Sequence, residues 1–290
     1  MKQQIKRVLQ QINDQSGIQE IKSVSGGDIN EAFYVKTEEQ TYFMKGNQNV
    51  PSHFFKAEAS GLEAIRHTQT VSVPEVYYYD EPDENEIGMM ALEWIEASST
   101  YDSSEKLGEK LALMHKQTAD HYGFGEPTFV GELDQPNEWK DSWVEYYRDN
   151  RLHHQYLIGK ENGRINGKRQ KRMETLLTHL DKFVPAEPSA SLLHGDLWGG
   201  NYLTSKEGEP FLIDPSIVYG DPQFEIAFTE LFGGFAPSFY SSYQQVSPLY
   251  SEYKEVKPLY QLFYLLVHLN IFGEMYGSSV DRILKKYIGN

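Results

Sequence analysis

The 290-residue chain contains no cysteine. A disulfide framework, a cysteine nucleophile and thiolate-held zinc or iron–sulfur centres are therefore excluded. No stretch approaches 18 consecutive apolar residues, which argues against a membrane-spanning helix. Residues 1–12 lack the apolar centre of a secretory signal and read as a short amphipathic helix. Basic charge is scarce too: 27 Lys and Arg against 42 Asp and Glu leave a net charge of −15. Such a surface repels a phosphate backbone, so no nucleic-acid partner is expected, although a phosphate-bearing ligand in a local pocket remains compatible. The expectation is a cytoplasmic enzyme or binding protein with no membrane partner.

Residues 21–25, 32–36 and 41–45 are short β-prone runs separated by turn residues, a spacing that suits an antiparallel meander. A helical pattern follows at 54–67, then strands at 73–77 and 89–95. After residue 100 the grammar changes to helical periodicity at 107–115, 139–157 and 172–183, and again from 224 onward. Residues 192–214 read as a loop with two short strands. The fold class is therefore α+β, with a small β-rich lobe over 1–96 and a larger, mostly helical lobe over 97–290. Against the acidic background, Lys160, Arg164, Lys168, Arg169, Lys171 and Arg172 gather around residues 162–163. A solvated loop leading into a helix is the favoured reading, and contact with an anionic substrate or partner the alternative.

The sharpest cluster is Leu-Leu-His-Gly-Asp-Leu-Trp-Gly-Gly-Asn-Tyr-Leu at 192–203. Apolar residues bracket a polar, glycine-containing loop, and Asp196 and Asn201 are close enough in sequence for the loop to aim both at one point. Asp214 ends a second apolar run, Phe-Leu-Ile-Asp-Pro at 211–215. Three oxygen-bearing side chains without a histidine cage suit a hard cation such as Mg²⁺ that also binds phosphate oxygens. Asp196 would orient an attacking hydroxyl and receive its proton, while Asn201 and Asp214 hold metal and phosphate charge. Simple turn capping by His194, Asp196 and Asn201 is the competing explanation.

Lys45 closes the strand at 41–45, and Glu58 lies on the apolar stripe of the following helix with Leu62 and Ile65. A carboxylate there needs a partner, and Lys45 is the natural one; Glu63 competes but lies on another face. Such a pair would hold the ammonium against nucleotide phosphates. Gly26 and Gly27 could bring backbone amides to phosphate oxygens, or form an ordinary hairpin turn. The Glu93 carbonyl and the Ile95 amide have the alternation needed to pair a purine edge, although such an aromatic-aliphatic run is more often a plain core strand.

These residues resemble the protein-kinase-like phosphotransferases that include aminoglycoside and choline kinases. The phrase His-Gly-Asp-Leu-Trp-Gly-Gly-Asn at 194–201 is similar to the fructosamine/ketosamine-3-kinase family, as are 26–30, 55–62, 107–115 and 220–227. The resemblance implies a bilobal kinase-like fold and ATP-dependent phosphorylation of the sugar 3-hydroxyl of ketoamines, free or on protein lysines, leading to deglycation. It implies Asp196 as base, Asn201 and Asp214 as Mg²⁺ ligands, Lys45 as phosphate lysine with Glu58 as its partner, and Asp221 as a carboxylate bracing the catalytic loop. The family often has Asp at the position of Glu225. His194 and Trp198 carry over with the motif. Trp143, Tyr146 and His268 are further pocket candidates, with core packing the commoner fate of such residues, and Glu225, Glu230 and Glu274 could attract an amine-bearing acceptor. Asp28 stands where some eukaryotic members carry a redox-sensitive cysteine, so a monomer is expected. A kinase of another small alcohol, such as an aminoglycoside or choline-like substrate, is the alternative; a pseudokinase binding module is a third reading.

Overall fold

The computed structural model describes residues 1–24, 30–48, 50–83, 85–98 and 100–289. Helix α1 (Lys2–Gln11) precedes five strands: β1 (Ile18–Val24), β2 (Glu31–Thr37), β3 (Thr41–Gln48), β4 (Val76–Tyr79) and β5 (Ile87–Glu93). They form one antiparallel sheet in the order β1-β2-β3-β5-β4, with helix α2 (Phe54–His67) inserted between β3 and β4. Alternation along a strand sends successive side chains to opposite faces. On one face Tyr42, Met44, Met89 and Ala91 meet Ile5, Val8 and Leu9 of α1. On the other, Met90 and Leu92 join Phe55, Leu62 and Ile65 of α2 in a core that continues into the helical lobe. The loop glycines Gly26 and Gly27, and Asp28 beside them, lie outside the described residues.

The larger lobe is built from α3 (Ser104–Met114), the hairpin β6 (Thr128–Val130) and β7 (Leu133–Gln135), α4 (Trp143–Tyr146), a π-helical stretch (Tyr147–His153), α5 (His154–Glu161) and α6 (Gly167–Thr178). Next come β8 (Ser191–Leu193), β9 (Tyr202–Thr204), β10 (Pro210–Leu212), β11 (Val218–Gly220), α7 (Pro222–Thr229), α8 (Pro237–Val246), α9 (Tyr253–Phe272) and α10 (Gly277–Ile288). Helix α9 is apolar nearly all round and runs through the core, as its burial of Leu259, Tyr260, Phe263, Tyr264 and Leu266 requires. The two lobes are tied by backbone hydrogen bonds from Lys206 to Glu96 (3.0 Å) and Leu212 to Ser72 (2.9 Å), and Ser98, just past the boundary, donates to Thr204 (2.8 Å).

Two helices differ from the sequence expectation. The one expected over 139–157 starts at Trp143, where the Ser142 hydroxyl accepts from the Glu145 amide, and runs through the π-helical stretch to Glu161. The one expected over 172–183 begins five residues earlier. The basic residues 168–172 form its first half rather than a loop, because Arg169 reaches across to α10 and its neighbourhood. Arg169 bonds Glu274 (2.7 Å) and Asp281 (2.9 Å), and Arg172 donates to the Gly289 carbonyl. Those two arginines are spent on intramolecular contacts.

Candidate active site

Strand β8 delivers the chain into the loop 194–201, and the hairpin β9–β10 returns it to Asp214. Gly195 has φ +84°, and a Cβ there would sit 1.9 Å from the Ser216 carbonyl oxygen, so only glycine fits this turn. The loop is held from beneath. Glu225, on α7 and fully buried, accepts the backbone amides of His194 (3.2 Å) and Gly195 (2.6 Å). Tyr264 on α9 donates its hydroxyl to the Gly195 carbonyl at 2.8 Å, and the Ser216 amide donates to the His194 carbonyl at 2.8 Å. Burial works against the Glu225 charge, yet His115 beside it (2.8 Å) and the amides keep its pKa below the usual carboxylate range. His115 in turn contacts the Tyr243 hydroxyl at 2.8 Å.

His194 is fully buried, and burial depresses its pKa, so the ring is neutral. Nε2 faces the Ile213 carbonyl at 2.9 Å and must carry the proton, which leaves Nδ1 to accept the Asp196 amide (3.3 Å). The ring thus pins the loop to the strand end that presents Asp214. Asn201 donates its side-chain amide to the Asp196 carbonyl (2.8 Å) and to its Oδ2 (3.1 Å). Burial, followed by the negative charge of Asp214, pushes the Asp196 carboxyl up to about 8. Once ionised, this carboxylate is a stronger proton acceptor than an ordinary one. Trp198 is 44% exposed, and its ring lies over Gly200, where a Cβ would come within 2.4 Å.

On the sheet side Lys45, between Ala32 and Met90 in the ladder, is buried and bonds Glu58 at 2.7 Å. It also pairs with Asp214, which has φ +53° and a side chain 48% exposed. Burial would discharge the lysine, but Asp214 and Glu58 together raise its pKa above the ordinary value, so it stays an ammonium. Burial pushes Glu58 up to about 7 against the pull of Lys45. Asp214 stays below its ordinary pKa because Lys45 outweighs its desolvation. Glu93 ends β5 opposite Tyr42, its amide bonded to the Glu75 carbonyl, and half-buried Ile95 follows beside Trp94, whose ring packs edge-on against Tyr34.

Several assignments are corrected. Asp221 does not touch the catalytic loop: its carboxylate accepts the Gln223 amide and the hydroxyls of Tyr250 and Tyr260, capping α7. The bracing carboxylate is Glu225, whose extra methylene spans the distance to two loop amides. Trp143 and Tyr146 are fully buried core, with the Trp143 indole donating to Tyr260. His268 is half-buried among Phe232, Phe272 and Tyr276. Glu225 is locked beneath the loop, Glu230 pairs with Lys257 (2.7 Å) and Glu274 with Arg169, so these carboxylates are already engaged within the chain.

Asn201 and Asp214 present an amide oxygen and a carboxylate, the donor types Mg²⁺ prefers. Among the described residues no group of three or more His, Cys, Asp or Glu is placed to cage a metal. An ion held here would complete its shell with phosphate oxygens and water, as Mg²⁺ does at nucleotide sites.

A family model described as fructosamine kinase matches residues 1–290. The chain belongs to the fructosamine kinase family. It is 38% identical over 265 residues to a protein named "Probable ketoamine kinase" in Enterococcus faecium, covering 91% of this chain and 94% of that one. The Protein-ribulosamine 3-kinase, chloroplastic, of Arabidopsis thaliana is 33% identical over 273 residues, covering 93% and 83%. The crystal structure of a fructosamine-3-kinase candidate from Haemophilus somnus 129PT superposes with a TM-score of 0.86 at 30% identity, covering 97% of this chain and 95% of that one. Aminoglycoside phosphotransferase APH(4)-Ia, at 14% identity, a TM-score of 0.66 and 99% coverage of both chains, shares the fold alone. The bilobal, protein-kinase-like architecture follows from these likenesses. So does the coarse activity of the fructosamine kinase family, ATP-dependent phosphorylation of a ketosamine-like sugar hydroxyl.

Proposed function

We propose that this protein transfers the γ-phosphoryl group of ATP to the 3-hydroxyl of ribulosamine, erythrulosamine or fructosamine adducts of amines and protein lysines, the first step of deglycation. The observation that carries the reading is two contacts, Asn201 with Asp196 and Lys45 with Asp214, brought together where the Ile213 amide donates to the Asn201 carbonyl at 3.0 Å. Asp196 accepts the proton of the sugar hydroxyl as it attacks phosphorus. Its orientation comes from Asn201 and from a loop pinned by Glu225, Tyr264 and His194. Lys45, fixed by Glu58, neutralises phosphate charge, and the Glu93 carbonyl and Ile95 amide meet the purine edge. Asn201 and Asp214 would hold Mg²⁺, which supplies charge neutralisation at the transferring phosphate. Trp198, exposed beside the base, offers an apolar face to the sugar.

The test is a panel of ribulosamine, erythrulosamine, fructosamine, aminoglycoside and choline acceptors, with the phosphate position determined by NMR. Wild type should phosphorylate a ketoamine at O3, and transfer should stop when EDTA removes divalent ions and return with Mg²⁺. Asp196→Asn should lose about 10²- to 10⁴-fold in kcat. Activity of that variant near wild type would remove the base assignment. Phosphorylation of an aminoglycoside or choline-like alcohol but no ketoamine would select the other reading.

A further inference from the structure

We infer that Gly61 is a positioning residue for the nucleotide, because its missing side chain lets α2 lie directly on the turn that presents Asp214. Gly61 is buried in the middle of a 14-residue helix, where glycine is the poorest helix former after proline. Local propensity therefore argues for alanine, and tertiary packing explains why alanine is absent. A Cβ at Gly61 would stand 3.0 Å from Cγ of Pro215, closer than ordinary carbon contacts, and in ordinary contact with Cβ of Pro215 (3.4 Å) and with Ile217 (3.6 Å).

The register makes this contact matter. Glu58 and Gly61 are three residues apart and share one face of α2. Glu58 reaches Lys45, which also bonds Asp214, while Gly61 rests on Pro215. Two positions about one helical turn apart thus face two successive residues of one turn. Neither side gives readily. The proline ring has no side-chain rotation and gives only by a change of pucker, and Asp214 already occupies the left-handed region. A methyl group at residue 61 would be relieved by moving α2 outward, which lengthens the Lys45–Glu58 bond and frees the ammonium to swing. The proposal rests on the reading of Lys45 as the phosphate-binding lysine.

The experiment is a set of ADP titrations and steady-state assays. Gly61→Ala should raise the ADP Kd and the KM for ATP about tenfold, with the acceptor KM unchanged within about twofold, a tenfold change being a modest loss of one charge-assisted contact. Measured against Pro215→Ala, the double variant should show less than about a twofold further change, since removing the ring makes room for the methyl group. Added to Lys45→Ala, Gly61→Ala should likewise change ADP affinity by less than about twofold, because the element it misplaces is already gone. Equal penalties in all three backgrounds, or no penalty in wild type, would overturn the role. Should Gly61→Ala alone fail to fold, the double variant with Pro215→Ala must fold; loss of folding there too would also overturn it. Wild type that binds no ADP would instead refute the nucleotide reading beneath the proposal.

Discussion

The two halves of the site are held by different physics. Beneath the catalytic loop, Glu225 receives two backbone amides and His115 in a fully buried pocket, and Tyr264 and Ser216 add neutral hydrogen bonds. At the sheet side, Lys45 is shared between buried Glu58 and half-exposed Asp214. The first arrangement is satisfied without any ligand. The second has one cation between two carboxylates; under the proposed function, bound phosphate would draw Lys45 and leave Asp214 to hold the metal. One region stores geometry and the other stores charge, and substitutions should separate the two.

The largest effect on the fold is expected at the brace. Glu225→Ala leaves His115 and two loop amides without their acceptor, and each buried donor left unsatisfied costs about 1–3 kcal/mol. The expected outcome is a drop in Tm on the order of 10 °C by calorimetry, together with loss of kcat as the loop loosens. A variant with unchanged Tm and kcat would show that Tyr264 and Ser216 suffice to hold the loop.

Lys45→Ala should behave differently. Glu58 is already pushed up to about 7, so it can take a proton when its partner disappears, and Asp214 can turn to water. The fold should survive with Tm changed by less than about 3 °C. Loss of one charge-assisted contact should weaken ATP binding about 10- to 100-fold. Circular dichroism with nucleotide titration reads both. A large stability loss with intact affinity would reverse the contrast between the halves.

The candidate site was legible in the sequence where chemistry is concentrated in short spacing. Asp196, Asn201 and Asp214 stand close in the chain, and Glu58 betrayed its partner by sitting on an apolar stripe. What could not be read depends on contacts across the chain. Glu225 and Asp221 look alike in a sequence, and only packing shows that one reaches the loop while the other caps α7 and meets two tyrosines. Trp143 and Tyr146 could have lined a pocket, but Trp143 packs against Tyr260 of α9, and Tyr146 stacks on Trp143 and donates to Asn137. The start of α6 was hidden because its first residues are charged and their partners lie on and near α10, about a hundred residues away. Gly61 stands inside a recognisable helix, and nothing local announces the proline above it.

The smallest expected effect sharpens the same comparison through pH. The Glu225 carboxyl is held below its ordinary value in the folded state, because His115 and the loop amides outweigh burial. Its contribution to stability is therefore complete above the unfolded carboxyl value of about 4.3, and is lost as pH falls through the lower folded value. Glu225→Gln has no such proton to take up. The difference in Tm between wild type and this variant should be constant from about pH 6 to 7 and should shrink once the pH is taken below about 4.3. Groups common to both proteins and not bonded to residue 225, Glu58 among them with the opposite sign, cancel in that difference. A gap that stays the same down to the acid limit of folding would mean that the brace does not depend on the charge of Glu225, and that the loop is held by the shape of its hydrogen bonds alone.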